Sequence, residues 1–359
     1  MHSRPYITGV GLVTPLGGSA PETWQALMEG RFIATHSRAK IEIAAGRCRV
    51  NDLALQVARE AIASAQWTDI DPENTAIVLA TSKGAVETWI AGHGLGSFGV
   101  GDTAAELARA LRWDHSIRCT LSAACASGLH ALIRAAMMLK SHQVSRALVV
   151  AVESSLHPIF LGSFNRLGVL ADEKTGCRPF DIARDGFLMS EAAAAICMEL
   201  QPPARPFAAV ENFALAGDAT HLTGSDPKAE TLRHLLKQVA ANKPVDLVHA
   251  HGTGTITSDP LELAAIESIL GSSTAPPNLY SHKGALGHSL GASGLVSIAI
   301  NCLAHRESMI PPNVRTLQPL TINHLILSRG PLDRRITRSI AIASGFGGPT
   351  AAVGLISPQ

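Results

Sequence analysis

The chain has 359 residues, with 30 Lys+Arg against 29 Asp+Glu, a formal net charge of +1, 46% hydrophobic and 16% charged residues. The apolar share excludes intrinsic disorder and the neutral balance argues against a nucleic-acid binder, while the length suffices for one large or two ordinary domains that bury roughly three quarters of the unfolded surface. Aromatics are only 4% and Gly (31 residues) and Ala dominate, which suits closely packed strands and helices and suggests an α/β enzyme.

The first predicted element is the strand Tyr6-Ile7-Thr8-Gly9-Val10, which ends in glycines. The five residues before it hold no apolar signal core, and nowhere do about 18 apolar residues run together, so no membrane span and a cytoplasmic location are expected. Six cysteines (Cys48, Cys119, Cys125, Cys177, Cys197 and Cys302) include no C-x-x-C pair and read as reduced thiols. Apolar residues at three- and four-residue intervals predict helices over 53–65 and 128–140. Apolar runs predict buried strands over 75–80, 147–152 and 245–250, and another over 340–344. Gln201-Pro202-Pro203-Ala204-Arg205-Pro206 interrupts any helix or central strand, and places a boundary between halves 1–203 and 204–359. The alternation implies a largely parallel sheet with both faces covered.

The halves look related. Ala126-Ser127-Gly128-Leu129 opens one helix, and Ala292-Ser293-Gly294-Leu295 opens another 166 positions on. The strand ending in Ala80-Thr81-Ser82-Lys83-Gly84 parallels, 170 positions on, the one ending in Ala250-His251-Gly252-Thr253-Gly254. Such identities also arise by chance in an Ala/Gly-rich chain. If they mark a duplication, equivalent strand ends converge on one site, as ligands of α/β sheets lie beyond the carboxyl ends of strands.

Four stretches carry residues suited to chemistry. Cys125 lies among small residues, Leu121-Ser122-Ala123-Ala124-Cys125-Ala126-Ser127-Gly128, just before a helix. There unpaired N–H groups and the helix dipole favour thiolate, although a buried core cysteine is the alternative. His251 stands where a strand enters a Gly/Thr loop, and Thr253 and Thr255 can hydrogen-bond an amide-rich ligand; a plain surface histidine is the alternative. His249, two residues earlier, reads as structural. Lys283 and His288 are embedded among glycines, where a lysine needs an acidic partner, and Glu262 is the candidate. A phosphate loop is the competing reading there, but neither G-x-G-x-x-G after a strand nor G-x-x-x-x-G-K-[ST] is present. Finally, Phe346 sits between glycines in Ser344-Gly345-Phe346-Gly347-Gly348, as a plug or as core filler.

In this order, a cysteine elbow, His-Gly-Thr-Gly-Thr, Lys followed five residues later by His, and Gly-Phe-Gly-Gly resemble the decarboxylating β-ketoacyl-[acyl-carrier-protein] synthases of the two-histidine type. The resemblance extends over nearly the whole chain, from Ile7-Thr8-Gly9-Val10-Gly11-Leu12-Val13-Thr14-Pro15-Leu16-Gly17 to Arg178-Pro179-Phe180-Asp181, Arg184-Asp185-Gly186-Phe187 and Glu191. It implies the thiolase-like α/β fold, two duplicated αβαβαββ halves in five layers, α-β-α-β-α. It implies Cys125 as acyl acceptor, with the amides of Cys125 and Phe346 as oxyanion hole. His251 and His288 would serve the malonyl thioester, with Lys283, paired to Glu262, holding the His288 region. Phe346 would be a gate, Thr253 and Thr255 would bind the pantetheine arm, and Phe164 would line the acyl tunnel.

The same resemblance implies an acyl carrier protein, acyl and malonyl thioesters and a second chain, identical or related, as partners. The phosphopantetheine would arrive on the carrier, with no metal or other cofactor. Burial of strand 147–152 on a two-fold axis is expected, as is carrier steering by Arg166 and the Arg334, Arg335, Arg338 group. The chain departs from the family in a short segment over 33–50, in Ile256 for proline, in Pro349-Thr350 for Thr-Asn, and in Ala192 to Ala194 for a Gly-rich stretch. These departures hint at specialised polyketide or polyene synthesis more than housekeeping fatty-acid synthesis. A thiolase would want a second cysteine where Phe346 stands, and a starter-type enzyme one His with an Asn. The rival of another class is a chain-length-factor-like partner subunit, which lacks the nucleophile.

Overall fold

The computed structural model describes residues 4–36, 39–43, 48–90, 99–201, 205–224, 226–271 and 275–358. The N-terminal half runs β1 (Tyr6–Val13), α1 (Ala20–Met28), α2 (Arg49–Ser64), β2 (Thr75–Ala80), α3 (Val86–Ile90), α4 (Asp102–Leu111), β3 (Ile117–Leu121), α5 (Ser127–Lys140), β4 (Arg146–Glu153), α6 (Pro158–Arg166) and β5 (Ala192–Glu199). A second series follows. It comprises β6 (Ala208–Gly217), α7 (Glu230–Ala240), β7 (Leu247–His249), α8 (Ser258–Leu270), β8 (Asn278–Tyr280), α9 (Lys283–Leu286), α10 (Ser293–Glu307), β9 (Met309–Ile310), β10 (Leu332–Asp333), β11 (Arg338–Ser344) and β12 (Pro349–Ile356). The junction expected at Pro203 and Ala204, like parts of segment 33–50, lies outside the described residues.

The glycines expected to end the first strand lie inside it. A Cβ on Gly9 would stand 2.1 Å from the Ala61 carbonyl oxygen and one on Gly11 2.1 Å from that of Val57. Bare backbone at both positions is what lets α2 lie flat on β1.

The ten-stranded sheet has the order β3-β2-β4-β5-β1-β6-β12-β11-β7-β8. Read outward from the centre, β1-β5-β4-β2-β3 and β6-β12-β11-β7-β8 are the same arrangement twice. Within the sheet the two strand sets join where β1 pairs with β6, at Tyr6↔Ala209 and Ile7↔Ala208. The expected parallel pairing holds on the flanks, where β2 pairs parallel with β3 and β4, and β7 with β8 and β11. The centre is antiparallel. In the second half the reason is local: residues 345–348 are too short a link from β11 to β12 for a crossover, so the chain turns back on itself.

Two layers of helix lie outside the sheet and one within. The inward faces of both strand sets pack on α5 and α10, α2 and α4 cover the outer face of the first set, and α7 and α8 cover that of the second. The suspected repeat is the crossing of the inner helices. A Cβ on Gly128 would meet the Leu295 nitrogen at 2.5 Å, and one on Gly294 would meet the Leu129 side chain at 2.9 Å. Each copy of Ala-Ser-Gly-Leu thus supplies the glycine against which the other copy's leucine seats.

Strand β4 is not at a two-fold axis: β2 and β5 flank it on either side. The free edge of the first half is β3, where Ile117 is 41% exposed.

Candidate active site

Cys125 is delivered by a left-handed elbow. Ala124, between β3 and α5, has φ +47°, a conformation costing a non-glycine residue about 1–2 kcal/mol. Ser127 holds the turn: its hydroxyl donates to the Ala124 carbonyl (2.6 Å) and accepts from the Ala123 N–H (2.8 Å). Against this elbow lies the Phe346 loop. A Cβ on Gly345 would stand 2.9 Å from Ala124 Cβ and 3.0 Å from the Cys125 nitrogen, so only glycine lets the two turns touch. On its other side the loop is pinned where Gly347 N–H donates to Leu222 O (2.8 Å) and Asp218 N–H to Gly348 O (2.9 Å).

A cavity of about 460 Å³ opens here, and Cys125, His251, His288, Glu262, Thr253, Thr255, Phe164 and Phe346 all line it. Of the expected site residues only Lys283 is not on its wall. The His251 and His288 rings stand 5.4 Å apart at 82°, and the Phe187 ring meets His288 edge-on at 5.1 Å. Phe164 packs at 6.2 Å on Phe346 and at 5.7 Å on Phe187, forming an aromatic wall beside the thiol. Burial drives both imidazoles well below the ordinary histidine range, and the Lys283 cation adds to the shift, so both rings are neutral. Their Nδ1 atoms are buried without a hydrogen-bond partner.

Two expectations fail. The thiol is not pulled toward thiolate: desolvation pushes Cys125 up to about 11, Glu153 adds to the rise, and Lys283 and Lys83 only oppose it. The helix N-terminus loses to the low dielectric of the pocket. Nor do Lys283 and Glu262 form an ion pair. Both act on one stretch of backbone instead: the Glu262 carboxylate accepts from His251 N–H (2.6 Å) and Gly252 N–H (2.7 Å), and Lys283 Nζ donates to the His251 carbonyl. Lys283 therefore holds His251, not the His288 region. Burial pushes the lysine down and the glutamate up, and the attraction between them opposes both shifts.

Sequence reasoning passed over Asp259, which is fully buried and accepts from Phe180 N–H (2.7 Å) and Gly254 N–H (3.0 Å), shaping the Gly/Thr loop. The Thr253 and Thr255 hydroxyls lie 3.0 Å apart beside it. An acid in the first turn of a helix following a glycine loop was the available signal. Arg166 is exposed, whereas Arg338 is buried against Glu211 (2.5 Å) and the Val239 and Ala240 carbonyls (both 2.7 Å). Arg334 pairs with Asp246 at 3.5 Å. Arg338 opens β11 and Ser344 at its pocket end closes it, so the arginine group lies roughly 20 Å from the site and cannot line its mouth.

No group of three His, Cys, Asp or Glu among the described residues could hold a metal ion, and no described helix is long and apolar enough to cross a membrane.

Residues 44–204 match the β-ketoacyl synthase N-terminal domain and residues 207–316 the β-ketoacyl synthase C-terminal domain. The chain is 27% identical to 3-oxoacyl-[acyl-carrier-protein] synthase 2 of Coxiella burnetii, over 88% of this chain and 89% of that protein. It is also 27% identical to a putative polyketide β-ketoacyl synthase 1 of Streptomyces cyaneus, over 100% and 99%. Its fold matches a ketosynthase solved with its type II polyketide acyl-carrier protein, at TM-score 0.88 and 21% identity over 100% of both chains. It also matches a β-ketoacyl synthase from Burkholderia phymatum, at TM-score 0.86 and 23% identity over 99% and 100%. With both domains matched in order over a thiolase-type fold, the chain belongs to the β-ketoacyl synthase family.

Proposed function

We propose that the protein is a β-ketoacyl-[acyl-carrier-protein] synthase, an acyltransferase joining an acyl group held on Cys125 to a malonyl thioester. The observation that carries this reading is the single cavity shared by Cys125 and two neutral imidazoles 5.4 Å apart. A thiol raised to about 11 needs a base, and a neutral imidazole in the same cavity takes its proton as the sulfur attacks the incoming thioester. The proton then goes to the departing pantetheine sulfur. The amides of Cys125 and Phe346, brought together at Gly345, hold the tetrahedral oxyanion. When the malonyl carboxylate leaves as carbon dioxide, its electron pair becomes an enolate whose oxygen accepts from His251 and His288. At that step each ring donates from Nε2, which leaves the partnerless Nδ1 as its bare nitrogen. The enolate carbon attacks the acyl carbonyl and the Cys125 sulfur leaves as thiolate, taking up one proton from water to regain the resting thiol.

Within this reading residues 1–203 supply the nucleophile and 204–359 both histidines. Lys283 and Glu262 fix the His251 backbone, Thr253 and Thr255 receive the pantetheine arm, Phe346 gates the thiol and Phe164 lines the acyl channel. The carrier protein delivers the cofactor arm. A cytoplasmic location is part of the reading, supported by six free thiols. The unpaired edge of β3, and helix α6 with no buried residue and Ile159 56% exposed, support a second chain, identical or related, seated on the first half. The departures at Ile256 and Pro349-Thr350, with the full-length match to a putative polyketide β-ketoacyl synthase, support a specialised pathway.

Mass spectrometry after incubation with acyl-carrier thioesters tests the assignment. We expect an acyl adduct on Cys125, lost in Cys125→Ala, and β-ketoacyl product once malonyl carrier is added. No adduct under conditions that load another synthase refutes it in favour of a chain-length-factor-like partner role.

A further inference from the structure

Four contacts join the loop bearing His251 to the loop bearing Lys283 and His288. Ala250 N–H donates to Tyr280 O (2.9 Å), the Ser281 hydroxyl to Gly252 O (2.9 Å) and Lys283 Nζ to His251 O. The fourth joins two imidazoles that the condensation chemistry does not use: His249 Nε2 and His282 Nδ1 lie 2.8 Å apart. These residues are 0% and 1% exposed. His249 precedes His251 by two residues and His282 precedes His288 by six. The pair therefore fastens one catalytic segment to the other from behind.

A line of hydrogen bonds, half-buried at Ser357 and buried from Ser339 inward, sets the protons of this pair. Ser357 gives its one hydroxyl proton to Ile336 O (2.6 Å), so it must accept from His305 Nδ1 (3.0 Å). His305 Nε2 then accepts from Ser339 (2.9 Å), which accepts from Asn301 Nδ2 (3.3 Å). Asn301 Oδ1 accepts from His249 Nδ1 (2.8 Å), leaving His249 Nε2 to accept from His282 Nδ1. His282 Nε2 accepts from Ser293 at 3.3 Å. Ser297, whose hydroxyl donates to Ser293 O (3.2 Å), lies 3.5 Å from His282 Nδ1 and can only accept there, which agrees with a protonated Nδ1, so the Ile336 carbonyl fixes the tautomers of three histidines. Burial holds all three rings below the ordinary histidine range. Lys283 thus acts on the His251 carbonyl beside three rings that carry no competing positive charge.

We propose that His249 and His282 are positioning residues for the condensation step, a neutral imidazole clasp that sets the distance and orientation of His251 relative to His288. The proposal rests on the synthase reading above. The clasp touches neither Cys125 nor its elbow, and acyl loading needs only one imidazole as base whereas the enolate needs both rings at a set separation, so the clasp should govern use of the malonyl unit far more than acyl loading.

The test takes the full chain as His282→Ala, His249→Ala, the double variant and His282→Gln, which keeps a donor for His249 Nε2. Acylation of Cys125 is read by intact mass, condensation by product formation from malonyl carrier, and folding by thermal melting. We expect acylation within about threefold of wild type and a kcat for condensation lowered roughly tenfold or more in each alanine variant. The double variant should be no worse than the poorer single, since both remove one interaction. His282→Gln should recover most of the loss. Histidine ¹⁵N spectra of the unaltered protein should show protonated Nδ1 and bare Nε2 on His249 and His282. Folded variants with unchanged condensation, a parallel loss of acylation and condensation, additive losses, or the opposite tautomers each overturn the clasp. A wild-type chain that takes no acyl group overturns the synthase reading instead.

Discussion

Gly345→Ala addresses the point where two turns from different halves touch. The added Cβ would sit 2.9 Å from Ala124 Cβ and 3.0 Å from Ala123 O and the Cys125 nitrogen. Ordinary contact begins near 3.4 Å, so the loop must retreat by about 0.4–0.5 Å. It has little room to slide, since Gly347 and Gly348 are bonded to Leu222 and Asp218 at 2.8 and 2.9 Å and Gly345 N–H to Pro349 O at 2.8 Å. The displacement therefore falls on the neighbouring amide of Phe346. An oxyanion donor works at about 2.7–3.1 Å, and moving it back half an ångström is close to removing it, a loss of roughly 10²–10³ in rate or about 2.7–4 kcal/mol in the barrier. Single-turnover acylation of Cys125 should slow by that factor while the melting temperature drops only slightly. Gly330→Ala, where a Cβ meets nothing within 4 Å, is the control and should load normally. Acylation within twofold of wild type in a folded Gly345→Ala protein would show that the Phe346 amide plays no part.

Three further outcomes are expected. Gly128→Ala drives a Cβ to 2.5 Å from the Leu295 nitrogen at the inner helix crossing and should cost on the order of 3 kcal/mol in denaturant melts, whereas Gly162→Ala meets open space and should not destabilise; equal midpoints would refute the crossing. Alkylation of Cys125 by iodoacetamide should climb about tenfold per pH unit beyond pH 9 toward its value of about 11, and a plateau below pH 9 would contradict the desolvated thiol. Burial lowers His249 to about 3 and His305 to about 4, and lowers His251, His282 and His288 as well, so the unfolded chain takes up protons first. Stability should be full above about pH 6.5 and fall as pH drops toward 4, by up to about 1.4 kcal/mol per histidine between pH 7.5 and 5.5. An unchanged urea midpoint between those two pH values would refute the neutral cluster.

Some of this protein is written locally, and that part was legible. The periodicity of 53–65 and 128–140 gave α2 and α5 to within a few residues, because a helix buries one face and the spacing records which. The order of a cysteine elbow, His-Gly-Thr-Gly-Thr, Lys-x₄-His and Gly-Phe-Gly-Gly named the site's members, since each is a short stretch whose chemistry depends on neighbours in sequence. Glycines were harder. Gly9 and Gly11 read as strand ends, although they lie mid-strand for the sake of a helix some fifty residues away. The same limit hid Lys283's true partner: charge balance pointed to Glu262, but which atoms meet depends on how β7, α8 and α9 pack. The Cys125 thiol follows the same logic, for a helix N-terminus is visible in sequence and the desolvation that outweighs it is not. The tautomers of His249 and His282 are likewise set by a carbonyl at residue 336, through Asn301, Ser339, His305 and Ser357, and only the packed chain brings them into line.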